Sequence, residues 1–321
     1  MARPRLLITL GDPNGIGPEV TAKALARADV RAAADLAVVG LRAVLAPWLE
    51  RFGGGEVEVI EPMPGDGFTV RHGAVDAAAG RLAHGWVEFA ARACLAGRAD
   101  GMVTAPVNKA AFAAAGIRDT GHQEVLQRVS GAEQVLTMLQ TGGLRCVHLS
   151  THKPLREACA HVTRANVLQA LRLTDREFRR WGFAAPRVAV AALNPHAGEG
   201  GLIGREELDE IGPAVGDARA EGIDARGPFP ADSVFTRAIA GEFDAVLVMY
   251  HDQGHIAVKV HGFERSVSVN LGLPFTRASV DHGTAFDIAG RGIASGESMA
   301  EAVLLAARLA AGRGMAAEGP A

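Results

Sequence analysis

Cysteine is scarce in this 321-residue chain, and no long apolar run occurs. The three cysteines, Cys94, Cys146 and Cys159, form no C-x-x-C pair and are odd in number. A disulfide framework is therefore not expected, and a reducing compartment fits better. No stretch reaches the roughly 18 to 20 apolar residues that span a bilayer, and the apolar run near the N-terminus is too short for a signal peptide. We expect a cytoplasmic protein.

A strong charge of either sign is also missing. The formal net charge is -3 and no long basic run occurs, so a nucleic-acid partner has no electrostatic support. Hydrophobic residues make up 48% and charged residues 21%, which is the balance of an ordinary globular protein. The length allows one large domain or two lobes with ample core.

Short apolar runs alternate along the chain with longer, alanine-rich amphipathic runs. The predicted strands are Leu6–Leu10, Leu36–Gly40, Val57–Ile60, Gly101–Thr104, Val135–Gln140, Leu144–Ser150, Val188–Leu193, Ala245–Met249 and Val267–Leu271. The predicted helices are Pro18–Ala28, Val75–Gly97, Asn108–Ala115, Arg164–Trp181, Arg205–Glu221, Ser233–Ala240 and Ser298–Gly312. This alternation predicts an α/β fold with a largely parallel sheet. Several strands are continuously apolar, which is typical of strands buried on both faces.

A glycine-rich segment, GDPNGIGPE (residues 11–19), follows the first predicted strand. Ligands of open parallel sheets bind beyond the carboxyl ends of the strands, and the N–H groups of a helix start can hold an anion. The spacing matches neither G-x-G-x-x-G nor a P-loop. A purely structural strand-to-helix turn is the alternative interpretation.

Three histidines each lie just beyond the carboxyl end of a predicted strand: His152, His196 and His251. If these strands share a sheet, the three imidazoles lie at one edge and could converge. Three protein ligands with an open position are typical of a catalytic metal site. The alternative for each is a hydrogen-bonded loop histidine. Asp252 could orient a ligand or take a proton, or it could simply form a turn.

Basic side chains in apolar surroundings suggest an anion site. Lys259 lies in HIAVKVHGF and Arg277 in GLPFTRASV, where a buried anion partner is plausible although surface charge is the commoner role. The TAPVNKAA segment places Thr104, Asn108 and Lys109 at another strand end. Together these residues could form a phosphate or carboxylate cradle.

Six segments in this order resemble the 4-hydroxythreonine-4-phosphate dehydrogenase (PdxA) family over about residues 6–312. They are GDPNGIGPE, TAPVNKAA, ALNPHAGEGGLIGREE, GPFPADSVF, MYHDQGHIAVK and LGLPFTRASVDHGTAFDIAG. The resemblance implies a homodimer of two-lobed, isocitrate/isopropylmalate dehydrogenase-like subunits with a cleft between the lobes. We expect one lobe to hold roughly residues 1–125 and 275–321, and the other residues 126–274. The implied reaction is NAD-dependent oxidation of 4-phosphohydroxy-L-threonine, followed by decarboxylation to 3-amino-2-oxopropyl phosphate for pyridoxal 5'-phosphate synthesis.

The resemblance also assigns residues. The family's ligands for a divalent metal (zinc, magnesium or cobalt) fall on His152, His196 and His251, and in the family the third comes from the partner subunit. The implied substrate-binding residues are His122, Gln123, Lys259, Ser268 and Arg277. We further expect NAD to lie against the loop that contains Asp281, Gly283, Thr284 and Asp287, and Asp252 or Lys109 to assist proton transfer.

Two positions depart from the family pattern. Gln123 stands where the family usually has threonine, and Ser268 where it has asparagine, while Asn270 lies on the same strand face about 6 to 7 Å further on. The segments HLSTHKPLREA and MYHDQGHIAVK look closer to a sister branch that acts on 4-phospho-D-threonate or D-erythronate 4-phosphate. More distant alternatives are a metal-dependent hydrolase or acyl transferase on a related fold, and a non-catalytic binding protein.

Overall fold

The computed structural model describes residues 3–315, and these divide into two compact units. The first unit comprises the chain up to Val135 together with Leu273–Ala311. The second comprises Leu136–Gly272 and residues 312–315. Each unit contains its own run of neighbouring strands.

The strands of the described residues are numbered in chain order. They are β1 (Arg5–Thr9), β2 (Asp35–Val39), β3 (Glu58–Ile60), β4 (Gly101–Thr104), β5 (Leu136–Thr141), β6 (Leu144–His148), β7 (Arg187–Ala191), β8 (Asp224–Phe229), β9 (Ala245–Val248), β10 (Val267–Leu271) and β11 (Thr276–Val280). The first unit contains an all-parallel sheet in the order β3-β2-β1-β4-β11. Strands β4 and β11 are buried along their whole length, as expected for a parallel sheet covered on both faces.

The sheet of the second unit runs in the order β10-β5-β6-β9-β7-β8. Strands β6, β9, β7 and β8 are mutually parallel, whereas β5 is antiparallel to both β6 and β10. The expectation of an α/β fold with largely parallel sheets is therefore confirmed. The carboxyl ends of β6, β9 and β7 lie side by side, because these three strands are neighbours.

The helices are α1 (Gly17–Ala26), α2 (Ala28–Ala33), α3 (Arg42–Phe52), α4 (Ala77–Leu95), α5 (Lys109–Ala114), α6 (His122–Ser130), α7 (Leu155–His161), α8 (Arg164–Arg180), α9 (Gly212–Ala220), α10 (Ala231–Ile239), α11 (His251–Gly262) and α12 (Glu297–Ala310). Side-chain caps set several helix starts. Asp76 accepts hydrogen bonds from the N–H groups of Ala78 and Ala79 at α4, and Asn108 accepts one from Ala111 at α5.

The structure corrects some element predictions. The helix predicted over Arg205–Glu221 is a π-helical turn at Glu207–Ile211 followed by α9. Helices α2, α3, α6, α7 and α11 and strands β8 and β11 were not predicted. The missing β11 and α11 matter most, because they carry candidate site residues.

Candidate active site

Two of the strand-end histidines meet in the second unit. Strand β6 leads to His152, and β9 leads to His251, the first residue of α11. Because β6 and β9 are paired in parallel, their ends deliver both rings to one edge, where the ring centroids lie 5.8 Å apart. A cavity of about 300 Å³ is lined by both histidines and by Asp252. The carboxylate Oδ1 of Asp252 accepts a hydrogen bond from Nδ1 of His251 at 2.5 Å, so Nε2 is the ring nitrogen of His251 that could bind a cation.

His196 follows β7 but is held differently. It lies in a run of five consecutive left-handed residues, His196–Gly200, of which three are not glycine. Its side chain is 65% exposed and its Nδ1 lies 2.9 Å from Oε1 of Glu199. No three His, Cys, Asp or Glu side chains within residues 3–315 converge in a metal-binding group. A single chain thus brings His152 and His251 together, and His196 does not complete the set.

The loop around His196 is held by a buried carboxylate. Glu207 accepts hydrogen bonds from the N–H groups of Leu193 and Asn194 at 2.8 and 2.7 Å, and from the side-chain amide of Asn194 at 2.9 Å. Glu207 is only 4% exposed. This clamp fixes the loop that follows β7 and keeps its left-handed residues in place.

A further pair of histidines lies behind His251. Nδ1 of His148 donates to the carbonyl oxygen of Thr137 at 3.1 Å, so Nε2 of His148 must accept from Nδ1 of His255, 3.0 Å away. His255 stacks on His251 with centroids 3.6 Å apart and an interplanar angle of 13°. Burial, and secondarily His255, lower the pKa of His148 to about 3, so this ring stays neutral. Sequence reasoning assigned no role to His255. The i, i+4 spacing in HDQGH would have placed His251 and His255 on one helix face.

Gln253 ties the start of α11 to two strands. Its Oε1 accepts from the N–H of Met249 at 2.7 Å, and its Nε2 donates to the carbonyl of Ala192 at 2.7 Å. Met249 follows β9 and Ala192 follows β7. This buried amide therefore fixes His251 against the sheet edge.

The first unit contains a cluster of polar side chains around a buried guanidinium, formed by Thr104, His122, Arg277 and Ser279. Arg277, on β11, is 5% exposed, and its Nη2 donates to Oγ1 of Thr104 at 2.6 Å. The Thr104 hydroxyl in turn donates to Oγ of Ser279 at 2.9 Å. Burial lowers the pKa of Arg277 to about 9. A guanidinium held in this way suits a bound anion, which would restore the stability of its charged form.

His122 begins α6 and lies in the field of Arg277. Its Nε2 is buried without a hydrogen-bond partner. Burial, and then the charge of Arg277, hold the pKa of His122 well below its usual range. An unpaired imidazole nitrogen beside a guanidinium is a second anion-binding group. The charge of Arg277 acts on His122, so the structure brings these two predicted substrate-binding residues near each other.

The remaining predicted residues are dispersed. Lys259 lies half-buried on α11 with its Nζ 5.6 Å from the ring centre of Phe263, so the expected apolar, buried setting is only partial. Gln123 donates weakly to the carbonyl of Val135 at 3.5 Å. Ser268 and Asn270 lie on β10, paired with β5, and Asn270 is buried. Lys109 is exposed at the start of α5.

The glycine-rich turn is structural in this chain. Residues 10–22 are buried, and the N–H groups of Asp12 and Ile16 donate to the carbonyls of Pro106 and Thr284. Thr284 also lies 3.5 Å from the side-chain amide of Asn108. The structure therefore favours the structural turn over an anion-binding helix start. It also joins this turn to the loop that carries Asp281, Gly283 and Asp287.

Imidazole and carboxylate groups beyond the carboxyl ends of parallel strands, together with a buried guanidinium on β11, are typical of an α/β enzyme. Among residues 3–315, no helix is both long and apolar enough to cross a membrane.

Comparison with known proteins gives the family. The family model described as "Pyridoxal phosphate biosynthetic protein PdxA" matches residues 19–306. A 4-hydroxythreonine-4-phosphate dehydrogenase from Geobacter metallireducens is 43% identical, covering 97% of each chain. A D-threonate 4-phosphate dehydrogenase from Salmonella typhimurium is 42% identical, covering 94% of this chain and 98% of its own. The crystal structure of 4-hydroxythreonine-4-phosphate dehydrogenase from Klebsiella pneumoniae matches with a TM-score of 0.88 at 38% identity, covering 96% and 98%. The chain belongs to the PdxA family and is an oxidoreductase.

Proposed function

We propose that this enzyme oxidises 4-phosphohydroxy-L-threonine with NAD and a divalent cation, releasing carbon dioxide and 3-amino-2-oxopropyl phosphate for pyridoxal 5'-phosphate synthesis. The buried Arg277, next to the unpaired Nε2 of His122, carries the proposal, because this pair suits the phosphate of such a substrate. Thr104 holds the guanidinium in position. Fixing the phosphate leaves the rest of the substrate oriented for reaction.

The imidazole groups fit a divalent cation. His152 and His251 approach within 5.8 Å, line one cavity, and His251 has the carboxylate partner that metal-binding histidines usually have. A cation there would act as a Lewis acid, lowering the pKa of the substrate hydroxyl and stabilising the charge that develops on decarboxylation. The hydrogen bond from His251 makes Asp252 an orienting residue, which leaves Lys109 as the proposed proton acceptor.

A homodimer would complete the metal site. Several apolar side chains near the histidines are exposed in the single chain: Leu202 by 88%, Val260 by 83%, Phe263 by 63% and Ile256 by 60%. Exposed apolar patches of this kind are typical of subunit interfaces. The resemblance assigns the third ligand, His251, to the partner subunit. Because one chain brings His152 and His251 together, we propose instead that His196 comes from a second copy.

Mixed dimers test this arrangement. His196→Ala and His251→Ala should each be inactive, but co-refolding them in equal amounts should restore about a quarter of wild-type activity, since half of the dimers are mixed and each has one intact site. The matched mixture of His152→Ala with His251→Ala should stay inactive. Recovery in the second mixture, or none in the first, would overturn the assignment of His196 to the second copy.

A substrate panel tests the reaction itself. NADH formation should be fastest with 4-phosphohydroxy-L-threonine and should stop when EDTA removes the cation. The second candidate is a dehydrogenase for 4-phospho-D-threonate or D-erythronate 4-phosphate, which is favoured by the relative from Salmonella typhimurium and by Gln123. Faster turnover of either compound would select that candidate, and no NADH with any of the three would reject both.

We also propose that the enzyme works in the cytoplasm. Cys94, Cys146 and Cys159 are all free thiols in the structure. Burial raises the pKa of Cys94 to about 12, so its thiol stays protonated. Free thiols fit a reducing compartment.

A further inference from the structure

The ring of His255 covers one face of His251, the candidate cation ligand at the start of α11. The two ring planes are nearly parallel, at 13°, and their centroids lie 3.6 Å apart. Residues four apart in a helix lie on the same face, which brings these two side chains together. A second contact is the hydrogen bond from Nδ1 of His251 to Oδ1 of Asp252. His251 is thus held by Asp252 at its edge and by His255 across its face.

The stacking of His255 on His251 is not an arrangement that two aromatic rings select by themselves. Aromatic pairs prefer offset or edge-to-face geometries, with ring centroids about 4.5 to 7 Å apart. At 3.6 Å the two rings lie almost directly over each other. Other contacts must therefore hold His255 in place, and hydrogen bonds are the directional contacts that can do so.

The Nδ1 atom of His255 makes two such hydrogen bonds. It lies 3.1 Å from the carbonyl oxygen of His251 and 3.0 Å from Nε2 of His148. Because a carbonyl oxygen can only accept, Nδ1 carries the proton and donates to both atoms. The first of these bonds stays within one turn of α11, whereas the second crosses from α11 to β6. His148 therefore ties the ring of His255 to the sheet.

His148 is itself fixed within the second unit. The residue is 1% exposed, and its Nδ1 donates to the carbonyl oxygen of Thr137 on β5 at 3.1 Å. Gly254 leaves the space that this contact needs, since a Cβ there would lie 2.5 Å from Nε2 of His148. A continuous series of contacts thus runs from the carbonyl of Thr137 through His148 and His255 to the face of His251.

We propose that His148 and His255 are positioning residues for the cation site, and that the hydrogen bond between them keeps the His251 ring in the orientation that binds the cation. The inference rests on the proposed function, because it takes His251 as a cation ligand. Residues that orient metal-binding histidines contribute roughly 10- to 100-fold to metal affinity. The pair acts on the face of the His251 ring, whereas Asp252 acts on its edge.

Co²⁺ titration of the full-length protein, followed by calorimetry and visible absorption, tests the inference without turnover. His148→Leu removes the acceptor and should weaken Co²⁺ binding about tenfold. His148→Gln keeps an acceptor for His255, so the Co²⁺ spectrum should be retained and the affinity should stay within about threefold of wild type. His255→Phe keeps a flat ring without the donor and should resemble His148→Leu. His261→Phe, at an exposed histidine of the same helix, is the matched control and should bind Co²⁺ normally.

A double variant distinguishes a linked pair from two independent packing effects. In the His255→Phe background, His148→Leu should weaken Co²⁺ binding less than about twofold, because the donor that needs this acceptor is already absent. Losses that multiply in the double variant, or equal losses in His148→Gln and His148→Leu, would overturn the inference. His255 is only half-buried, so His255→Phe against His261→Phe remains a valid test even if His148→Leu does not fold.

The proposed function can fail separately from this inference. His251→Ala should lose the Co²⁺ site, which identifies the binding that is measured. The expected order of Co²⁺ affinities without NADH formation from any substrate would keep the positioning pair and reject the dehydrogenase. NADH formation together with unchanged Co²⁺ affinity in both His148→Leu and His255→Phe would keep the dehydrogenase and overturn the positioning pair.

Discussion

At the scale of single residues, the proposed anion site of the first unit consists of two basic side chains whose charged forms are disfavoured by burial. Arg277 and His122 both have lowered pKa values, and Arg277 adds to the lowering at His122. Such an arrangement costs folding free energy in the absence of an anion. Anion binding offsets this free-energy cost, because one anion stabilises the charged forms of both side chains.

Arg277→Lys should mainly impair substrate binding. Lysine keeps the charge but loses the fixed fork that contacts Thr104, and losing a hydrogen bond to a charged group costs about 1.5 to 3 kcal/mol. We expect the KM for the phosphorylated substrate to rise roughly 10- to 150-fold, measured by steady-state kinetics. Arg118→Lys, at an exposed position, is the control, and equal KM values for both variants would argue against an anion site at Arg277.

Binding of inorganic phosphate should be coupled to proton uptake by His122. The pKa of this imidazole is low in the free protein, and an adjacent anion raises it, so affinity should increase as pH falls from 8 towards 6, roughly across the usual titration range of histidine. Calorimetry in buffers of different ionisation enthalpy measures the protons taken up. His122→Gln removes this contribution while the titration of phosphate itself remains. Identical uptake by both proteins would contradict the assignment.

The sequence was sufficient to predict where the strand-end histidines lie, but not which histidines contact them. His152 and His251 could be placed because each follows a continuous apolar strand. His148 and His255 could not be linked, because their contact joins β6 to α11 across 107 residues of chain. Such a contact depends on tertiary packing, which local patterns do not encode.

At the scale of elements, α11 and β11 show why some segments escaped prediction. In α11 the apolar Ile256 and Val260 face outward, while Gln253 and Gly254 face the sheet, so the usual amphipathic pattern is inverted. Strand β11, TRASV, is fully buried although three of its five residues are polar. The exposed apolar residues of α11 and the buried polar residues of β11 both occur in elements that carry proposed binding groups. Departures from the usual hydrophobic pattern are expected at such sites.

Close packing of α11 on β6 predicts the effect of one methyl group. A Cβ on Gly254 would lie 2.5 Å from Nε2 of His148 and 2.9 Å from Val248. Gly254→Ala should therefore destabilise the protein by about 1 to 3 kcal/mol and weaken cation binding by displacing His251. Gly216→Ala, in the middle of α9 with nothing within 4 Å, should instead stabilise by up to about 1 kcal/mol. Denaturant unfolding and metal titration would measure both effects.

At the scale of the whole molecule, the alternation of strands and helices was sufficient to predict the fold class. The observed bounds of β1, β4 and β9 agree with the predicted bounds to within one residue. The agreement is close because these strands are buried on both faces and their sequences are therefore continuously apolar. The assembly state lies beyond such patterns. A single chain leaves Val260 83% exposed, which is unfavourable unless a partner covers it.

Val260→Glu should dissociate the proposed dimer. The side chain is exposed in the single chain, so the substitution should not disturb the subunit's own fold, but a buried, unpaired carboxylate at an interface should cost several kcal/mol. Analytical ultracentrifugation should show monomers, with loss of activity. Val75→Glu, at another exposed valine, should remain dimeric, and a dimeric Val260→Glu would place the interface elsewhere.

The left-handed backbone at His196 has an evolutionary consequence. A side chain with a Cβ is strained at φ 54°, and glycine would relieve that strain. A library selected only for heat resistance should therefore lose this imidazole early, whereas selection for turnover should retain it. Histidine at position 196 would then indicate a protein selected for activity. Glycine at this position would indicate a descendant that keeps the fold but no longer catalyses the reaction.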